Sequence, residues 1–275
     1  MKRNFFLIFF FSLIALETTA QSFTDTWTTK DVFNTPESVI YDAVRDVLYV
    51  SNINGNPTDK DHNGFISIID TDGSVKNLNW IEGMDAPKGM VLIGNMLYVT
   101  DINRVHAIDI EKNAVVNTVE VEGASFLNDM AVISDGRIII SDSDKNRLYV
   151  LSRNEVTIWS DDPLIEAPNG LAFDNNVLYV GTKNNLLTID SQTMNIKVLI
   201  PDTGPIDGII PLTSDTFLIS DWSGKITLVT PSEKKILQNT TDQKIQAADL
   251  GYIPNEKLIL IPTFFDNSLV AVKLE

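Results

Sequence analysis

One pattern recurs six times along this chain, and it constrains the fold more than any other feature. A small or polar cluster precedes an apolar strand, a turn, a second strand ending in a polar residue, and two further strands. The units open at TPESVIYD (35–42), APKGMVLI (86–93), FLNDMAVI (126–133), APNGLAFD (167–174), PIDGIIPL (205–212) and QAADLGYI (246–253), and their second strands read DVLYVS, NMLYVT, RIIISD, NVLYVG, TFLISD and KLILIP. The repeat is roughly 42 residues, the length of one four-stranded propeller blade. Its strands are β-branched and aromatic, with turn dipeptides such as Asp135-Gly136 and Ser223-Gly224 between them, and no segment carries an extended period of 3.6. The pattern predicts an all-β, six-bladed β-propeller. A β-helix or leucine-rich solenoid would need a shorter repeat. The sixth unit ends one strand short, so Thr26 to Phe33 is expected to supply its outer strand and close the ring, hiding two sheet edges. Residues 21–275 then form a single domain, because a propeller cut between blades exposes its core.

Composition narrows the function. Lys and Arg number 21 against 37 Asp and Glu, a net charge of -16, with no basic cluster to receive a phosphate backbone; nucleic acid is excluded as an expected partner. There are no cysteines and only His62 and His106, which removes disulfides, thiolate chemistry and multi-histidine metal sites. Lys2 and Arg3 precede an apolar run from Phe5 to Leu16, too short to span a bilayer but suited to a secretory leader. Cleavage after Ala20 is expected. The mature chain is then exported, to a periplasm or beyond the cell, with no membrane insertion.

The first strand of a propeller blade lines the central channel, so the residues opening that strand share one circle at one face. Here they read Glu37, Lys88, Asn128, Asn169, Asp207 and Asp249, all polar. Glu37, Asn128, Asn169 and Asp207 are hard oxygen donors. The set suits a divalent cation, and without thiolate or imidazole it favours Ca²⁺ over zinc or copper. Each residue also has an ordinary reading: Asn169-Gly170 and Asp207-Gly208 as turn dipeptides, Asn128-Asp129 as an Asx turn, Glu37 as a solvated loop residue. Recurrence at one blade position distinguishes the set from its members. Lys88 reads as a structural or substrate-orienting cation, and Asp249 as either an outer-sphere acceptor or a channel residue.

The blade openings PESV (36–39), LND (127–129), PNGL (168–171) and IDG (206–208) resemble those of the family containing gluconolactonase, senescence marker protein (regucalcin) and luciferin-regenerating enzyme, across all six blades. More distant relatives of that family, paraoxonase and diisopropyl-fluorophosphatase, use a similar Glu, Asn, Asn, Asp set around calcium. The resemblance implies a calcium-dependent hydrolase of a small-molecule lactone or related ester, with Glu37, Asn128, Asn169 and Asp207 as ligands and Asp207 also as general base or nucleophile. The chain departs from the sugar-lactone pattern at Phe126, where those members carry arginine. Lys88, Phe126, Asp129, Asp221, Trp222 and Asp249 are the expected substrate-facing residues. The loops between second and third strands should share the ring's face, with Trp222, Phe264 and Phe265 as an apolar rim. A non-catalytic propeller that binds a small ligand or a protein at the same face is the alternative.

Three local motifs do not carry function. Asp59, Asp61, Asn63, Gly64 and Asp70 have calcium-loop spacing without flanking helices, so they read as a polar lid. SGKIT (223–227) lacks the first glycine of a phosphate loop, since Ile219 stands there. Asp161-Asp162 reads as a solvated turn.

Overall fold

The computed structural model describes residues 21–275; the leader assigned to residues 1–20 lies outside the described residues. After β1 (Phe23–Thr29), blade 1 comprises β2 (Pro36–Asp42), β3 (Val47–Asn52), β4 (Gly64–Asp70) and β5 (Val75–Met84). Blade 2 comprises β6 (Pro87–Ile93), β7 (Met96–Asp101), β8 (Arg104–Asp109) and β9 (Ala114–Glu120). Blade 3 follows with β10 (Leu127–Val132), β11 (Ile138–Asp142), β12 (Arg147–Ser152) and β13 (Glu155–Ser160). Blade 4 holds β14 (Leu171–Asp174), β15 (Val177–Gly181), β16 (Leu186–Asp190) and β17 (Ile196–Ile200), and blade 5 holds β18 (Ile209–Pro211), β19 (Phe217–Asp221), β20 (Lys225–Val229) and β21 (Lys234–Asn239). Blade 6 is β22 (Gly251–Ile253), β23 (Leu258–Pro262) and β24 (Leu269–Leu274), completed on its outer side by β1. Every blade is a four-stranded antiparallel sheet, so the chain is a six-bladed β-propeller.

Ring closure by the N-terminal strand is as expected, with different bounds. The pairing runs from Phe23 opposite Leu274 to Thr29 opposite Leu269. Residues 30–33 are not in that strand. Asp31 and Thr35 adopt positive φ, 54° and 51°, which turns the chain inward. Phe33 becomes a core plug, 1% exposed, against Val39, Leu48, Leu260 and Leu269.

The core is built between blades. Six apolar clusters each draw on two neighbouring blades: Leu148, Val150, Leu178 and Leu187 join blades 3 and 4, for example, and Leu218, Ile226, Ile259 and Ile261 join blades 5 and 6. Alternation along each strand sends successive side chains to opposite faces, so one blade feeds both neighbours. Outer strands carry several exposed apolar side chains, such as Val116 on β9 and Ile236 on β21. Buried hydroxyls lace blades together near the axis: Thr100 Oγ1 donates to Asn128 O at 2.5 Å, and Ser220 Oγ to Ala248 O at 2.8 Å.

Candidate functional site

The inner strands begin with two stacked layers. Thr100 and Ser220 occupy matching places on β7 and β19, and each reaches the carbonyl of the next blade, at Asn128 and Ala248 respectively. Ala248 is therefore level with Asn128. The upper layer is Glu37, Lys88, Asn128, Asn169, Asp207 and Ala248; the lower layer is Ser38, Gly89, Asp129, Gly170, Gly208 and Asp249. This corrects the expectation that Asp249 shares the ring with Asp207: it lies one residue deeper, level with Asp129. Leu127-Asn128-Asp129 aligned with Ala247-Ala248-Asp249 was the sequence signal for that register. Small residues in the lower layer are a steric requirement. A Cβ on Gly208 would lie 2.4 Å from Leu250 N, and one on Gly170 would lie 2.2 Å from Asp207 O.

Five upper-layer side chains, Glu37, Lys88, Asn128, Asn169 and Asp207, form the floor of a cavity of about 380 Å³. Its wall is Ile53, Pro57, Phe126, Trp222, Phe264 and Phe265. Ile53 and Pro57 come from the loop between β3 and β4, Trp222 from the turn between β19 and β20, and the two phenylalanines from a short 3-10 turn before β24. Phe126 comes from the connection between blades 2 and 3. The corresponding loops of blades 2 to 4 do not reach the cavity. Loop 53–63 is pinned at several points. Ile53 N bonds Thr35 O at 3.0 Å, Lys60 Nζ bonds Asn103 Oδ1 at 2.8 Å, and His62 Nδ1 lies 2.9 Å from Asp85 Oδ1.

The floor concentrates charge away from water. Glu37 and Asp207 are each 5% exposed and Lys88 is 1% exposed. Asp207 Oδ1 accepts the Asn169 Nδ2 proton at 2.6 Å. Burial first and the nearby Asp249 second push Asp207 up to about 8, against the pull of the Asn169 bond. Burial, then Asp207 and Asp249, holds Glu37 well above the usual carboxylate range, partly offset by Lys88. Burial pulls Lys88 down to about 8 against the attraction of Glu37 and Asp101. Its ammonium donates to Pro57 O and Ala86 O at 3.1 Å each and stands 4.7 Å from the centre of the Phe126 ring. Two floor oxygens, Glu37 Oε2 and Asn169 Oδ1, are buried without any hydrogen-bond partner. An unpaired buried acceptor costs about 1–3 kcal/mol, so native structures seldom keep one without use.

Those oxygens are the test of a cation at this floor. Glu37 and Asn169 each present a free hard oxygen beside Asp207, and Asn128 adds another amide, a donor chemistry that fits Ca²⁺. Among the described residues no three His, Cys, Asp or Glu side chains cluster as metal ligands; the floor supplies two carboxylates and two amides instead.

The remaining expected substrate-facing residues lie elsewhere. Asp129 and Asp249 line a separate chamber of about 300 Å³ deeper in the channel. Asp129 accepts Met130 N and Leu171 N, each at 2.6 Å, and Asp249 Oδ2 accepts Ser38 Oγ at 3.0 Å. Asp221 caps its own turn by accepting Ser223 N at 2.9 Å and does not line the upper cavity. His106 is on β8 and bonds Asp101 at 2.9 Å, within a buried network that also holds Arg104 and Asp85. Asp70 lies at the far end of β4 from Gly64 and pairs with Lys76 at 2.6 Å, so the calcium-loop spacing is not brought to one point. Ile53 and Pro57 carried no distinguishing sequence signal beyond their place in an expected loop.

No family model and no curated protein matches the sequence. Solved structures do resemble the fold. A gluconolactonase from Xanthomonas campestris is 15% identical, with 90% of this chain and 88% of that chain covered and a TM-score of 0.68. Virginiamycin B lyase from Staphylococcus aureus is 13% identical, with 93% and 100% covered and a TM-score of 0.66. A chain of a nidogen/laminin complex is 17% identical, with 76% and 86% covered and a TM-score of 0.64. A hydrolase, a lyase and a binding partner thus share the architecture. At these identities the likeness establishes a propeller fold of the kind that gluconolactonase and virginiamycin B lyase adopt.

Proposed function

We propose that this chain is an exported, calcium-dependent hydrolase of lactones or related esters, working in the cavity above Glu37, Asn128, Asn169 and Asp207. The observation that carries the reading is the pair of unpartnered buried oxygens, Glu37 Oε2 and Asn169 Oδ1, beside Asp207, whose carboxyl burial pushes up to about 8. Glu37, Asn128, Asn169 and Asp207 would hold the ion, which when bound supplies Lewis-acid polarisation of the substrate carbonyl.

The chain's own groups supply the proton transfers. Asn169 occupies Asp207 Oδ1, so Asp207 Oδ2 is the atom that takes a proton from the attacking water. The water oxygen bonds to the acyl carbon, and the acyl–oxygen bond then breaks. The alkoxide leaves with the proton that Asp207 has held, and the product is a hydroxy acid. Lys88 faces this centre from a fixed position, because Pro57 O, Ala86 O and the Phe126 ring fix its ammonium. It is suited to orient an oxygen of the substrate.

The test is a lactone and ester panel with chelated protein and with Ca²⁺ restored. Hydrolysis that disappears on chelation and returns with Ca²⁺ supports the reading; no hydrolysis of any member under either condition defeats it. The exposed Trp222 and the nidogen/laminin likeness favour a second reading, a non-catalytic binding face. That reading predicts saturable ligand binding without turnover.

A further inference from the structure

We propose that this cavity selects lactones or esters carrying an apolar substituent, an alkyl chain or an aryl ring, over polyhydroxylated sugar lactones. The proposal rests on the hydrolase reading for the reaction but on separate observations for the substrate class. The cavity is divided by chemistry: every polar lining side chain but one is at the floor, and the wall is Ile53, Pro57, Phe126, Trp222, Phe264 and Phe265. Of these six only Trp222 has a side-chain hydrogen-bonding atom. The carbonyl that Pro57 could offer is taken by Lys88, and Phe265 N is turned to Gln246 Oε1 at 3.3 Å. A sugar lactone would press several hydroxyls against that wall without partners, each costing about tenfold or more in kcat/KM. An alkyl or aryl group would lose water and gain contact.

The base of the wall, Ile53 and Phe264, is buried with Ala86, Ile102 and Ala248, but its outer rings stand clear of that cluster. Among the described residues, Trp222 at 43% and Phe265 at 57% are the only aromatic members of the exposed large hydrophobics, and both stand on this cavity. The others are aliphatic or Met and scattered, over outer strands as at Val116 and Ile236 and over turns as at Val44 and Met194. Trp222, Phe264 and Phe265 form a mutual edge-to-face cluster: centroid distances are 5.4 Å for Trp222–Phe264, 6.0 Å for Trp222–Phe265 and 4.8 Å for Phe264–Phe265. Phe264 adopts a φ of 51°, a left-handed backbone that a bulky L residue rarely takes. Strain of this kind persists where the surroundings hold it and gathers at ligand sites. Here it sets Phe264 beneath the two exposed rings, so the wall stands preformed. Phe126 completes it on the opposite side under the Lys88 ammonium. Floor and wall together suit a substrate with a polar reacting carbonyl and an apolar tail.

The test uses the calcium-loaded mature protein and γ-lactones with unbranched side chains of zero to six carbons, beside glucono-δ-lactone. The expected kcat/KM rises about fourfold per methylene over the first few carbons, as burial of each methylene dictates. Phe265→Ser and Trp222→Ser should each flatten that slope, acting through KM; Phe265 is largely exposed, so its truncation leaves the core intact. Faster turnover of glucono-δ-lactone than of the hexyl-substituted lactone, or a slope unchanged in both variants, overturns the assignment. If no lactone is turned over, the hydrolase reading fails, and calorimetric titration with the hexyl-substituted γ-lactam decides the ligand class separately. Saturable binding lost in Trp222→Ser upholds an apolar ligand; absence of binding rejects it.

Discussion

Two layers one residue apart along the same inner strands carry buried carboxylates, and they are treated in opposite ways. In the lower layer Asp129 has both oxygens bonded by backbone amides, from Met130 and Leu171, and Asp249 is tied to Ser38. In the upper layer Glu37 Oε2 and Asn169 Oδ1 have no partner, although both are shielded from water. The contrast teaches what each layer is for. A carboxylate that accepts amides from its own strand and the next fastens blades together, whereas an oxygen left open at a cavity floor is available to something the chain itself does not supply.

The largest expected effect separates the layers by chemistry. At saturating Ca²⁺, Asp207→Asn keeps an oxygen donor but loses the proton acceptor, so turnover on the best substrate should fall by about 10² or more. Near wild-type turnover would remove Asp207 from proton transfer and leave it a ligand at most. Asp129→Asn should act on the fold instead. Its new amide group would face one of the two backbone N–H donors, at a cost of about 1–3 kcal/mol. For a chain of this size that lowers Tm by about 2–4 °C per kcal/mol. Thermal unfolding compared with turnover per folded molecule checks the division; a variant that unfolds like wild type but is inactive would merge the two layers.

The two layers should also differ, by a smaller amount, in their response to pH. Burial holds Asp207 at about 8 and Asp129 at about 7 in the folded chain, against about 4 when unfolded. Between these values the native state keeps protons that the unfolded state has released. The contribution of these two groups to the stability of the metal-free protein is therefore full below about pH 4 and declines as pH rises toward 8. Ca²⁺ should reduce this decline, since ligation favours the Asp207 carboxylate, while the Asp129 part persists. Tm measured from pH 5 to 8 with chelator and with Ca²⁺ reports both; a Tm that rises with pH in chelator contradicts the assigned protonation.

Much of this was legible in the sequence, and the misreadings are instructive. The blade count follows from strand spacing, because an antiparallel blade is a local unit whose turns and alternation are written in consecutive residues. The gathering of Glu37, Lys88, Asn128, Asn169 and Asp207 follows from the same repeat. Asp249 was misplaced because a side-chain period of two makes a one-residue slip change the layer, and Asp249-Leu250-Gly251 imitates Asp207-Gly208 in that slip. The closing strand was drawn too late because Phe33 looks like a strand residue, whereas the positive φ at Asp31 and Thr35 that redirects it has no glycine to announce it. The wall was only partly legible. Trp222, Phe264 and Phe265 stand out as aromatics in loops, but which loops reach the cavity depends on packing at the axis.

The open oxygens of the upper layer, and not the bonded carboxylates of the lower, should take a divalent cation. Calorimetric Ca²⁺ titration of the metal-free wild type, Glu37→Gln and Asp249→Asn, with Tm recorded at each end point, distinguishes the two layers. Wild type should show one saturable site with a rise in Tm on binding, Glu37→Gln a loss of affinity of tenfold or more, and Asp249→Asn a retained site. Absence of binding in wild type, or a site that survives Glu37→Gln and disappears in Asp249→Asn, would contradict this expectation.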